Sequence, residues 1–236
     1  MAPLVCAFTE EIYCHIRLLV SWVRNMKRVL LLTGTPGVGK TAVLTKVVNI
    51  LKEKGYRVGG MISREVREGG VRVGFEILDL TSEKRGWLAH VKQRTGPQMG
   101  KYRVNLEDLE SIGAKAITVA VENCDVVAID EVGPMELFSE KFKDATHQVL
   151  ESHKLVIAVV HGKARDKLIN YAKSMKEAET YLVTTENRND LSIIIAGKAI
   201  KAIEKTGNPS VTALKNNVAT EKIRGLVSMS NRAKAH

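Results

Sequence analysis

The 236-residue chain has no run approaching the ~18 consecutive apolar residues that a membrane-crossing helix needs, so no membrane role is expected. Cysteine is scarce. Cys6, Cys14 and Cys124 make neither an even-numbered disulfide framework nor a close pair of metal-binding type, and reduced thiols in a cytoplasmic protein are the expectation. Met1 to Asn25 carries Glu10 and Glu11 and lacks both a basic start and a small-residue cleavage site, which fits a secretory leader poorly. Internal repeats and low-complexity segments are missing. So is the Asn-Lys-x-Asp guanine motif, which argues against strict GTP use without selecting ATP.

What the chain has in excess is positive charge, net +10, and its location matters. Residues 201–236 hold seven Lys/Arg against two Glu, while residues 27–200 hold 27 basic and 22 acidic side chains. Half of the excess therefore lies in a tail with little apolar periodicity. Such a tail can meet phosphate backbones non-specifically, but no aromatic residue punctuates it to stack bases. A solvated end is the expectation, and nucleic acid is not the favoured partner. Hydrophobic residues make up 44%, ample for a packed core.

Gly34-Thr35-Pro36-Gly37-Val38-Gly39-Lys40-Thr41 fits the phosphate-loop pattern G-x-x-x-x-G-K-[ST]. It follows Arg28-Val29-Leu30-Leu31-Leu32, an apolar run of buried-strand type, and precedes Ala42 to Leu51, which has helical spacing. A strand that turns through glycines into a helix leaves backbone N–H groups pointing at one spot, where an anion settles with help from the helix dipole. Lys40 would reach the outer phosphates of a nucleoside triphosphate, and the Thr41 hydroxyl would ligate Mg2+. The second half of the site is read at Val126-Val127-Ala128-Ile129-Asp130-Glu131. Asp130, at the carboxyl end of an apolar strand, would hold the magnesium, and Glu131 would take a proton from an attacking water.

Other residues are weighed against blander roles. Arg64 and Arg67 lie beside a hairpin that could fold over the triphosphate, where a guanidinium would stabilise the transferring phosphoryl group; Arg67 is the candidate carried forward. Glu136 stands at a helix start, where an acid is favourable for dipole reasons alone. His161, followed by Lys163 and Arg165, ends an apolar strand and could sense the γ-phosphate. Asn187 and Arg188 precede the last helix, where Asn could read base edges and Arg could stack on the ring; the competing role is a capping loop before Asn189 or Asp190. Trp87 reads as hydrophobic packing, with a place beside the substrate cleft as the alternative.

Apolar runs alternating with helical segments predict an α/β fold: a mostly parallel sheet with helices on both faces and an antiparallel hairpin addition. The strands are expected at 57–64, 71–80, 86–91, 126–130, 155–160 and 181–183, and helices from Leu106, from Pro134 to about Leu150, over 164–175 and over 191–203. The domain is expected over 26–204. Residues 1–25 are an added segment with Ile12, Ile16, Leu19 and Val23 at helical spacing, and 205–236 form the basic tail.

Asp130-Glu131-Val132-Gly133-Pro134-Met135-Glu136-Leu137 resembles the extended signature of the cancer-related nucleoside-triphosphatase family, which includes thermophilic archaeal and bacterial members. Gly59 to Glu68 with Arg72, Gly74 and Phe75 is similar to that family's hairpin, and Tyr102-Arg103-Val104 and Thr185-Glu186-Asn187-Arg188 sit where its patterns would put them. The resemblance spans about residues 27–200. It implies a RecA-like P-loop fold, a catalytic glutamate and slow, Mg2+-dependent hydrolysis of several nucleoside triphosphates.

The expected activity is hydrolysis of the β–γ bond of ATP, GTP, CTP and UTP, by a monomer. A nucleoside, nucleotide or RNA-end kinase would share every one of these residues, with Glu131 deprotonating a hydroxyl. An NTP-switched RNA-binding module is the alternative outside catalysis.

Overall fold

The computed structural model describes residues 27–162, 164 and 166–205; the added segment, the basic tail, Lys163 and Arg165 lie outside them. Strand β1 (Val29–Thr33) is interior, paired in parallel with β8 (Leu155–Val160) on one side and the edge strand β9 (Ala178–Leu182) on the other. β8 pairs with β7 (Val126–Val132), and β7 with β2 (Val58–Glu68), both in parallel. Beyond β2 the sheet turns antiparallel through β3 (Val71–Asp79), β4 (Arg85–His90), β6 (Tyr102–Val104) and β5 (Gln98–Met99). The spatial order is β5-β6-β4-β3-β2-β7-β8-β1-β9. This is the mixed α/β sheet that the alternation of apolar runs and helices predicts, a parallel core with antiparallel additions.

The central strands are apolar on both faces because both faces are covered. Leu30, Leu32, Val126, Ala128, Ile157 and Val159 pack under α1 (Lys40–Glu53) and α5 (Arg188–Lys205), in one core with Val43, Leu44, Val47, Leu191 and Ile195. Leu31, Val127, Ile129, Val156 and Ala158 point the other way. They pack with a helical segment over 106–123, containing α2 (Lys115–Asn123), and with α3 (Glu140–Glu151) and α4 (Lys167–Ser174). Each fully buried Leu or Ile stabilises the fold by roughly 1.5–3 kcal/mol relative to an exposed one. Gly60 lets β2 approach β7: it has φ 104°, and a Cβ there would lie 2.1 Å from the Ala128 carbonyl oxygen.

Several boundaries differ from the sequence reading, for physical reasons. β2 runs on to Glu68, six residues past its last pairing with β7 at Ile62 and Asp130, because β3 continues to satisfy its backbone. The helix from Leu106 does begin where the sequence reading puts it, with Asn105 as its N-cap, but it carries a π segment at Leu109–Ala114. A one-turn 3-10 helix (Glu136–Phe138) separates Pro134 from α3, whose cap is Ser139. α4 begins at Lys167, after Asp166 Oδ1 accepts from the Leu168 N–H at 2.8 Å. β9 starts at Ala178. As an edge strand it is only half-buried, so its apolar run marks its inner end alone.

Candidate active site

The loop after β1 enters α1 through Gly39, which has φ 105° and ψ 26° and supplies no side-chain cap, so the first turn keeps its N–H groups for a ligand. Lys40 is only 8% exposed. Its ammonium leans back on the loop, donating to the Gly34 and Thr35 carbonyls over long contacts of 3.3 and 3.4 Å. These are weak bonds that a phosphate would replace with charge-assisted ones. Thr35, Pro36 and Gly37 are exposed at the loop's outer side, and Val38 is buried beneath it.

Thr41, one residue further, donates its hydroxyl hydrogen to Asp130 Oδ1 at 3.1 Å. Asp130 lies two residues before the end of β7 and is 1% exposed. Burial pushes its carboxyl up to about 7, opposed by the Thr41 hydroxyl; the neighbouring Glu131 charge raises it further, and the Ser63 backbone N–H and Lys40 lower it. Asp130 Oδ2 and Glu131 Oε1 are buried without a hydrogen-bond partner in the described structure. Two orphaned carboxylate oxygens beside a hydroxyl at the foot of a phosphate loop fit a hard divalent cation. Among the described residues no cluster of three or more His, Cys, Asp or Glu side chains could hold a metal alone. That suits Mg2+, which takes one or two protein ligands and completes its shell with substrate phosphates and water.

A family model described as NTPase matches residues 29–196. The chain belongs to this nucleoside-triphosphatase family. It is 45% identical over 172 residues to the nucleoside-triphosphatase THEP1 of Methanosarcina acetivorans, covering 72% of this chain and 96% of that protein. To THEP1 of Thermofilum pendens it is 44% identical over 160 residues, covering 67% and 88%. Two solved structures share the fold with a TM-score of 0.62. THEP1 from Aquifex aeolicus is 29% identical, with 71% of this chain and 96% of that one aligned. A human cancer-related nucleoside triphosphatase is 33% identical, with 72% and 96% aligned. The family makes this chain a hydrolase, and its fold is the P-loop fold of THEP1.

Within this NTPase fold the remaining candidates separate by sheet face. Successive strand residues point to opposite sides. Ile62 packs with the core under α1, so Arg64, two residues on, faces the side of Thr41 and Asp130. Arg67 faces the other side. It pairs with Glu65, which also binds Arg72 at 2.8 Å, and donates to the Gly70 carbonyl at 2.8 Å. The structure thus sets Arg67 near the hairpin tip, away from the Asp130 face, where the sequence reading had it over the triphosphate. The reason is the strand's two-residue period, which an offset of three positions from Arg64 inverts. Arg64 shares Glu76 with Arg85, at 2.5 and 2.8 Å.

Glu136 does open a helical turn, but as a buried acid. It is 4% exposed, and burial pushes its carboxyl up to about 8, reinforced by Glu131 and Asp130 and opposed by the backbone N–H groups of Glu136 and Gly133. A Cβ on Gly133 would lie 3.1 Å from Glu136 Oε2 and 3.4 Å from Glu131 Cγ, so Gly133 is the gap across which these two acids meet. The periodic pattern of the sequence carried no sign of this; only the signature did.

Asn187 closes its own loop, accepting from the Thr184 N–H and donating to the Leu182 carbonyl, both at 2.9 Å. Arg188 opens α5 and lies over the phosphate loop, its Cδ 3.4 Å from where a Gly39 Cβ would stand and its Nη1 3.5 Å from the Val38 carbonyl oxygen. His161 Nδ1 accepts the Ala164 N–H at 3.0 Å, which ties the ring into its loop. No helix among the described residues is long and apolar enough to cross a membrane.

Proposed function

We propose that the chain is a slow, Mg2+-dependent phosphatase of ATP, GTP, CTP and UTP, cleaving the β–γ bond as a cytoplasmic monomer with one catalytic domain over 26–204. The observation that carries this reading is the Thr41 hydroxyl on Asp130 beside the orphaned oxygens of Asp130 and Glu131. Lys40 exchanges the Gly34 and Thr35 carbonyls for the β- and γ-phosphates, and the amides of Gly37 to Thr41 line the phosphate cradle. Thr41 and Asp130 would hold Mg2+, which supplies neutralisation of charge on the β- and γ-oxygens. Glu131 accepts the proton of the attacking water, and Gly133 leaves room for Glu136 behind it. Arg64, on the face of Asp130, takes the charge-stabilising role for which Arg67 was the sequence candidate. Arg188 offers a planar cation to the base, and Asn187 holds the loop that presents it.

Broad base tolerance follows from the lack of a guanine motif and from the engagement of Asn187 within its own loop. The four triphosphates are expected to be cleaved at rates within roughly tenfold of one another, about 1.4 kcal/mol in barrier. Phosphate release from each of the four, with Mg2+ and with chelator, tests the reading. Turnover that survives chelation rejects the metal role, and a thousandfold preference for one base rejects the breadth.

A further inference from the structure

Among the described residues, the antiparallel additions have one covered face and one open one. On the covered face Met61, Ile77, Leu88 and Ala89 are at most 2% exposed, packed with Leu109 and Ile112 of the 106–123 helical segment. The register puts three cross-strand rows on the other face, which is the face of α1 and Asp130: Ile62, Leu78 and Arg85; Arg64, Glu76 and Trp87; Val66, Gly74 and His90. A bulge in β4 beside Phe75 and Glu76 keeps Trp87 and His90 on the same side, with ring centroids 4.4 Å apart in an edge-to-face pair. Gly74 has no side chain beneath them; a Cβ there would come within 2.8 Å of the His90 ring and 3.0 Å of the indole. Next to the rings, Glu76 is shared by Arg64 and Arg85, whose side chains remain 54% and 46% exposed. Two guanidiniums on one carboxylate leave a net positive charge.

The first row includes Ile62, the register partner of Asp130, and strands lie about 4.8 Å apart. Arg85 is three strands from Asp130, so the patch begins within roughly 15 Å of the metal-side carboxylate. It lies at the same end of the sheet as the phosphate loop, on the β2 side of Asp130, away from β1 and Arg188.

We infer that the open face built from Arg85, Glu76, Trp87 and His90 is a second nucleotide site, which takes a free nucleoside monophosphate with its base against the Trp87–His90 pair and its phosphate on Arg85. A flat ring and an excess guanidinium side by side match a base carrying a phosphate. This rests on the reading that the phosphate loop holds the triphosphate, and it is the place an acceptor would occupy in a phosphotransferase.

The test uses the full chain with Trp22→Phe, so that Trp87 is the remaining indole, saturated with Mg2+ and a non-hydrolysable triphosphate analogue. AMP, GMP, CMP and UMP are titrated by fluorescence and calorimetry. Quenching of Trp87 with saturable heat is expected. The dissociation constant should rise about tenfold or more in Arg85→Ala, which removes an exposed side chain, and in Trp87→Leu. Three results overturn the proposal: no monophosphate binding, unchanged affinity in both variants, or binding of a 5′-phosphorylated oligonucleotide without binding of any monophosphate. Binding of a labelled analogue is measured separately. Its failure would sink the phosphate-loop reading, while the monophosphate titration still decides the second site.

Discussion

Thr41 and Asp130 are 89 residues apart in the chain, and a 3.1 Å hydrogen bond from the Thr41 hydroxyl to Asp130 Oδ1 joins the start of α1 to the carboxyl-terminal half of β7. It aligns the two elements that a triphosphate and its metal need, and it leaves the second Asp130 oxygen unpartnered. Asp130→Asn should therefore weaken Mg2+-dependent triphosphate binding about tenfold or more, because it removes the charge that a divalent ion requires. Binding measured with chelator should change little. Equal loss under both conditions would mean that Asp130 only braces Thr41.

Lys40→Ala should abolish hydrolysis and weaken triphosphate binding, since the ammonium now resting on Gly34 and Thr35 is the cation aimed at the outer phosphates. Normal turnover by a folded variant would place the chemistry elsewhere.

Glu131→Gln keeps shape and loses proton affinity. It should bind triphosphate normally and lose about 10²–10⁴-fold in turnover, the range for removing a general base. Single-turnover kinetics and analogue binding read the two effects apart. Retention of more than about a tenth of the wild-type rate, short of that range, would move the role to Glu136 or His161.

Arg64 and Arg67 offer an internal comparison. Arg64→Ala should lower kcat about tenfold or more, because a guanidinium on the Asp130 face can meet charge that grows in the transition state. Arg67→Ala breaks a surface pair with Glu65 and should leave kcat within about twofold. The reverse order would show that the hairpin tip folds over the site during turnover.

Glu136 carries a pH prediction. Its carboxyl titrates near 8 in the folded chain against an ordinary 4.5, chiefly because of burial. A group raised on folding binds more protons folded than unfolded, so its contribution is full below the ordinary value and is lost as pH rises towards about 8. Glu136→Gln has no such loss. The melting temperature of the variant minus that of the wild type should become more positive between about pH 5 and pH 8.5. A difference that stays flat over this window would reject the buried, protonated Glu136.

The glycine spacing from Gly34 to Lys40 fixed the phosphate loop without help from the rest of the chain, because a turn into a helix N-terminus is a local backbone event. The buried strands at 126–130 and 155–160 were equally legible, since strands covered on both faces are apolar at every position. What had to wait for the tertiary structure depends on register. A one-residue change of register moves a side chain to the opposite face, so the division of Arg64 from Arg67, and the meeting of Trp87 with His90 across a bulge, are decided by long-range pairing of β2, β3 and β4. The same holds for Glu136. Its burial against Glu131 comes from the path of the chain around Gly133, a through-space contact that no periodicity in the sequence encodes.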